Sequence, residues 1–240
     1  MSLHIYTDPM IEALESAVSL VFSWDRKLIE IVSLSLMVSL SAVSCATLLG
    51  LPLGAAIAVG RFPGRRAAIV VLNAMMGLPP VVIGLLVYLL LSRAGPLGRL
   101  GLLFTPGAMV IAQTILILPI IAALCRQSVE DAWREYEEQL RSLGVEGLPA
   151  ALTLVWDIRF SLVTAVLAGL GRACAEVGAV MIVGGNIDGV TRVMTTTIAL
   201  ETSKGDLPLA LGLGAVLIMI VLALNAAADL VKEAARLRYG

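Results

Sequence analysis

The sequence predicts an all-α integral membrane protein with about five transmembrane helices, an N-terminal interfacial helix and a helix in a cytoplasmic loop. Its 240 residues are 59% hydrophobic and 15% charged, whereas soluble chains have about 45–50% apolar and about 25% charged residues. Residues 31–60, 67–92, 100–125 and 207–228 contain no charge, and each stretch exceeds the length of about 20 residues that crosses a bilayer. The composition therefore disfavours a soluble enzyme and a disordered chain.

The charges and the rare residue types disfavour further classes. Seventeen Lys and Arg residues against eighteen Asp and Glu give a net charge of −1, so no basic excess is available to neutralise nucleic-acid phosphates. The three cysteines are far apart in apolar surroundings and form no metal or disulfide pattern. Since the single histidine is His4, we expect no metal site and no catalytic residue in this chain.

The first element is a helical segment too short and too charged to span a bilayer. Apolar residues recur at Ile11, Leu14, Val18 and Val21, which is a helical period. We expect residues 1–27 to lie in the membrane interface. A cleaved signal peptide is the alternative, disfavoured because a basic start is missing.

The membrane domain follows over residues 28–231, and a cytoplasmic tail occupies 232–240. Its predicted transmembrane helices lie at about 30–59, 67–92, 106–126, 158–183 and 207–231. Pro79-Pro80 and Pro119 are expected to break the second and third of these helices.

Lys and Arg residues in the loops predict the orientation. Ten lie on the side that carries the C-terminus and the 127–157 loop, against six on the other side. Because basic loops stay inside, that side is expected to be cytoplasmic. Residues 184–206 are then external, and their 191–201 part is a candidate short helix.

The cytoplasmic loop contains the most polar segment of the chain, residues 130–147. Trp133, Tyr136, Leu140 and Leu143 recur at i, i+3, i+7 and i+10 and share one helical face. We predict a short amphipathic helix, whose apolar face packs either on a partner or back on its own bundle.

The spacing in this helix resembles a known motif. Glu138 stands six residues before Gly144, and binding-protein-dependent ABC importers have Glu-Ala-Ala, three residues and Gly in the same loop. Gln139 and Leu140 replace the two alanines, and residues 154–157 lack the Leu-Pro that follows in the family. The resemblance implies that the helix docks on an ATPase subunit, through Trp133, Tyr136, Glu138, Leu140, Leu143 and Gly144.

The second half of the chain resembles oxyanion permeases. Residues 171–187 are similar to a span of molybdate permeases, and residues 191–206 are similar to the external segment of tungstate permeases. The resemblance covers about residues 30–235 and implies the type I ABC permease fold, with tungstate as the favoured solute and molybdate or sulfate as alternatives. An intramembrane enzyme and a stand-alone secondary carrier are weaker alternatives, since the spans contain few ionisable groups.

The resemblance also implies partners and location. Two permease copies would pair in a prokaryotic cytoplasmic membrane, with two cytoplasmic ATPase subunits and an extracytoplasmic oxyanion-binding protein. ATP and Mg would bind to the ATPase, and this chain would bind no cofactor.

Several polar residues are candidates for the pathway. Arg172 and Glu176, at i and i+4 inside a span, are expected to form a structural ion pair, with a charged element beside the pathway as the alternative. Asn186 is expected to cap a turn or line an opening, with a plain helix exit as the alternative. The external residues Arg192, Thr195, Thr196 and Thr197 either bind an oxyanion, cap a short helix or form a solvated loop.

Overall fold

In a computed structural model, the structure describes residue 19 and residues 26–145 and 147–239. The predicted interfacial helix lies almost wholly outside these residues. The described residues form helices and no strand. The helices are α1 (Arg26–Val59), α2 (Arg65–Met76), α3 (Pro80–Leu91), α4 (Pro106–Ser142), α5 (Leu148–Asp157), α6 (Arg159–Cys174), α7 (Gly178–Gly184), α8 (Met194–Lys204) and α9 (Leu207–Tyr239).

Three helices, α1, α4 and α9, are long and apolar enough to cross a membrane. The pair α2 and α3 is bent by 100°, and the pair α5 and α6 by 80°. Counting each bent pair as one broken span gives up to five, which agrees with the prediction of about five transmembrane helices. Because α5 is bent by 80° from α6, it can leave the bilayer at that end of the span.

The prolines act differently from one another. The predicted helix at 67–92 is broken at residues 77–79, because Pro80 starts α3 and the preceding Pro79 takes an extended conformation. The predicted break at Pro119 is wrong, since α4 continues through this residue. Neighbouring helices can compensate for the hydrogen bond that proline removes.

Small residues bring the helix backbones together. The most extensive helix pair is α1 with α4, and a Cβ at Gly54 would collide with the Ala122 carbonyl oxygen. A Cβ at Gly84 in α3 would lie 2.7 Å from the Cα of Ala179 in α7. Close approach of this kind is how membrane helices gain packing energy without a hydrophobic driving force between them.

The predicted amphipathic helix is the end of a longer one. The 37 residues of α4 correspond to a rod of about 55 Å, and its last turns contain the Trp133–Leu140 segment. Leu143 caps the helix, and Gly144 follows with a φ of 70°. This is the left-handed position that glycine adopts after a helix.

The predicted single helix at 158–183 is wrong. Helix α6 ends at Cys174, and α7 begins only at Gly178. Residues 175–177 between them form a helix break, and Glu176 lies in it. Of the two charged residues that the sequence placed within a regular span, Arg172 lies in the last turn of α6 and Glu176 lies where the backbone is irregular.

Candidate functional site

The helix break is built around the carboxylate of Glu176, whose residue is 3% exposed. Its Oε2 accepts a hydrogen bond from Arg172 Nη1 at 2.7 Å, and its Oε1 accepts one from the Ala179 backbone N–H at 2.9 Å. The predicted ion pair is therefore formed. The same carboxylate also satisfies a free donor in the first turn of α7, a stabilising position for a negative charge.

A third contact joins the break to α8. The Thr195 hydroxyl donates to the Glu176 carbonyl oxygen at 2.8 Å. The Arg172 side chain is 32% exposed. Its guanidinium is therefore partly accessible beside the break, and the Glu176 carboxylate largely neutralises its charge. Three helices thus meet at one neutralised pair.

The other two threonines of the cluster point inward. Thr196 and Thr197 are buried, and their hydroxyls donate to the Val193 carbonyl oxygen at 3.1 and 2.7 Å. The Thr196 hydroxyl also accepts from the Val193 N–H at 3.1 Å. The predicted short helix exists as α8, and this geometry fits the capping alternative rather than a solvated loop.

Arg192 lies in a separate cluster beside the start of α1. Asp188 accepts from Arg192 at 3.0 Å and pairs with Lys27 at 3.4 Å, beside a groove of about 230 Å³. Nearby, Asn186 has a φ of 50°, which fits the predicted turn. Its buried Oδ1 has no hydrogen-bond partner among the described residues. Glu30 also lines this groove, so its two cations, Lys27 and Arg192, are matched by two carboxylates.

At the other end of α1, a charged network fixes the turn before α2. Glu130 in α4 pairs with Arg65 at 2.5 Å and with Arg126 at 2.6 Å. Arg61 lies 3.8 Å from Glu137. These contacts tie the 61–66 turn to the last turns of α4, and we call this region the polar end.

The predicted docking face divides into two parts. Leu140 is buried in a cluster with Leu154, and Trp133 and Tyr136 pack half-buried against it. These three side chains therefore pack on their own bundle, through α5. Leu143 is 75% exposed, and Glu138 and Gly144 are also exposed.

Sequence reasoning missed the exposed side of α5. Leu152 is 62% exposed and Trp156 is 71% exposed, and both lie close in sequence to the polar end. The Arg159 guanidinium lies 4.9 Å from the Trp156 ring centroid, which is cation–π geometry. The spacing of Leu152 and Trp156 at i and i+4 was a usable signal, because it places both on one helix face.

The long apolar helices and the two bent helix pairs define the class, which is a multi-pass membrane protein. No protein-family model matches the chain. A probable anion ABC transporter permease protein of Haloferax volcanii is 42% identical over 204 residues, covering 83% of this chain and 88% of the relative.

Two further relatives are tungstate uptake system permease proteins. That of Peptoclostridium acidaminophilum is 40% identical, covering 90% of this chain and 94% of its own. That of Campylobacter jejuni is 37% identical and covers 92% of both. The chain belongs to the family of ABC transporter permeases and is a membrane-embedded transport subunit.

Proposed function

We propose that this chain is the permease subunit of an ATP-driven importer of tungstate. The observation that carries the proposal is the near full-length similarity to two tungstate uptake permeases, at 40% and 37% identity. A sulfate transport permease of Synechococcus elongatus is 32% identical, and the match covers 62% of that relative. Sulfate is therefore one alternative solute, and molybdate is a second one, from the resemblance of residues 171–187 to molybdate permeases.

The assembly that we propose contains more than this chain. Two copies pair around the pathway, two ATPase subunits dock at the polar end, and a binding protein delivers the oxyanion at the Asp188 end. ATP and Mg bind to the ATPase, and this chain contributes no cofactor. The polar end and the C-terminus face the cytoplasm of a prokaryotic cell, since basic loops remain inside.

Docking occupies the exposed part of the predicted face. Glu138, Leu143 and Gly144 contact the ATPase, together with Leu152 and Trp156 of α5. Trp133, Tyr136 and Leu140 position this surface by packing between α4 and α5. Hot spots of protein interfaces are enriched in tryptophan, and Trp156 is 71% exposed, so it is the proposed anchor of this surface.

The long helix α4 transmits movement from the docking surface to the helix break. It is continuous over 37 residues, and near its other end Gln113 Nε2 donates to the Ala173 carbonyl oxygen at 3.2 Å. ATP-driven closure of the ATPase subunits moves the end of α4, and the Ala173 contact passes this movement to α6. The bundle thereby alternates between outward-open and inward-open states.

The helix break suits a passage for anions better than a tight binding site. A lone buried cation would hold an oxyanion strongly and delay release, whereas conduction needs weak contacts. Glu176 balances Arg172 at 2.7 Å, so the guanidinium offers a weak attraction. Selectivity is then set mainly by the binding protein.

The test is uptake by the reconstituted transporter. Proteoliposomes that contain the chain, its ATPase and its binding protein are supplied with tungstate, molybdate or sulfate, and the internal metal or sulfur is measured by mass spectrometry. We expect ATP-dependent tungstate uptake that a tenfold excess of sulfate does not compete away. Uptake that runs on an ion gradient without ATP contradicts the importer, and preferential sulfate uptake contradicts the solute.

A further inference from the structure

A small polar cavity lies where α1, α4, α6 and α8 meet beside the helix break. It leaves about 10 Å³ for the centre of a water molecule, which is the space that one water needs. Polar side chains line it from three directions: Ser35 and Ser39 from α1, Gln113 from α4 and Glu176 from the break. Met194 closes it from α8.

One acceptor on a side chain that lines this cavity lacks a donor. Gln113 is 3% exposed, and its Nε2 donates to the Ala173 carbonyl oxygen at 3.2 Å, which fixes the orientation of the amide. Its Oε1 is buried, and no donor from the described part of the chain reaches it. A buried acceptor without a donor is costly, and native proteins pair such groups with protein or with ordered water.

The neighbouring charges favour a neutral ligand. Both oxygens of Glu176 accept hydrogen bonds, from Arg172 Nη1 and from the Ala179 N–H. The carboxylate is thus neutralised and does not need a cation in the cavity. The Ser35 hydroxyl oxygen accepts from the Met194 N–H at 2.7 Å, and its own hydrogen remains to be donated.

We propose that one ordered water occupies this cavity, donating to Gln113 Oε1 and hydrogen-bonded to the serine hydroxyls of α1. Such a water has the two to four polar partners that buried waters have in proteins. It completes the contact at which α4 meets the end of α6 and the start of α8. The helices that meet beside the helix break are therefore joined through hydrogen bonds to this water, which can change its partners as the helices move.

Radiolytic footprinting of the intact transporter tests the proposal. Hydroxyl radicals generated from a bound water oxidise the side chains next to it, and methionine is among the most reactive. Both methionines are buried in apolar clusters, at 2% exposure for Met194 and 0% for the control Met109, but of the two Met194 lines the cavity. We expect Met194 to be oxidised at least fivefold faster than Met109, with ¹⁸O incorporated after equilibration in H₂¹⁸O.

A pair of variants tests the role of Gln113. Gln113→Leu removes the acceptor, and we expect Met194 oxidation to fall to the rate of Met109. Gln127→Leu changes an exposed glutamine on the same helix and should leave the rate unchanged. If Met194 and Met109 react equally in the unmodified protein, or if Gln113→Leu folds and leaves the Met194 rate unchanged, the proposal is overturned.

Discussion

At the residue scale, the Arg172–Glu176 pair shows how a charge is tolerated inside a membrane protein. Glu176 is 3% exposed and accepts two hydrogen bonds, one from its ion-pair partner and one from the α7 backbone. A buried charge is stable only when it is paired and hydrogen-bonded. The carboxylate therefore has a structural role, whatever contact Arg172 makes with a passing anion.

Removing one partner of this pair should destabilise the protein more than removing both. Arg172→Met leaves a buried carboxylate without its cation, a change that costs about 3–5 kcal/mol in a fully buried pair. We expect the lower end of that range, because the arginine is 32% exposed. The double variant Arg172→Met/Glu176→Gln should recover part of the loss, because the glutamine amide is uncharged and its oxygen can still accept from the Ala179 N–H.

Thermal unfolding of the unmodified protein and of the two purified variants in detergent measures this difference. Transport then separates the structural role from a pathway role, since a purely structural pair predicts that the double variant regains uptake with its stability. A double variant that is no more stable than Arg172→Met would contradict the account of the pair.

At the element scale, composition predicted the spans, while contacts between distant residues determine their breaks. Residues 31–60 are long and apolar, so α1 follows from hydropathy alone. The break at 175–177 does not follow from hydropathy. Nothing in the local sequence indicates that the Glu176 side chain caps α7, or that the Thr195 hydroxyl donates to the Glu176 carbonyl oxygen. The Pro79-Pro80 break was predictable, since two adjacent prolines remove two helix hydrogen bonds and Pro80 disfavours a helical conformation at Pro79, whereas the single Pro119 lies inside the continuous α4.

The docking surface was only partly predictable for a similar reason. A helical period shows that Trp133, Tyr136, Leu140 and Leu143 share a face, but it does not show what covers that face. In the structure α5 covers most of it. The helical start at Leu148 and Pro149 is a local signal, because proline favours the first turn of a helix.

The exposed side of α5 makes a specific prediction for docking. Trp156 is 71% exposed, so Trp156→Ala should change stability little. As a hot-spot residue it should cost about 2 kcal/mol of association, which is roughly a 30-fold weaker affinity for the ATPase. Binding of the ATPase to the permease in nanodiscs measures this change.

The matched control is Leu222→Ala, because Leu222 is 64% exposed on α9 and belongs to a transmembrane span. This variant should bind the ATPase normally and insert to the same level. If both variants bind the ATPase equally well, α5 does not belong to the docking surface. The exposed end of α4 would then be the remaining candidate for ATPase docking.

At the scale of the whole molecule, the two ends of α1 define two different charged regions. Near its start, Asp188 pairs with two cations, and near its end Glu130 ties the 61–66 turn to α4. Helix α1 has 34 residues, so about 51 Å separates these regions along its axis. This distance exceeds the bilayer core of about 30 Å, and the two regions therefore lie on opposite sides of the membrane.

The excess of basic residues predicts which side is which. The side with the polar end carries ten Lys and Arg residues against six on the other, so it should remain in the cytoplasm. In a background without the three native cysteines, we expect Val190→Cys to react with a membrane-impermeant maleimide in intact cells. In cells that lack the ATPase subunit, which would otherwise cover this position, Leu143→Cys should react only after permeabilisation. Val190 is 45% exposed and Leu143 is 75% exposed, so the reactivity of each cysteine depends on the side of the membrane on which it lies. The reverse labelling pattern would invert the topology. It would also move the proposed ATPase contact to the other end of the bundle.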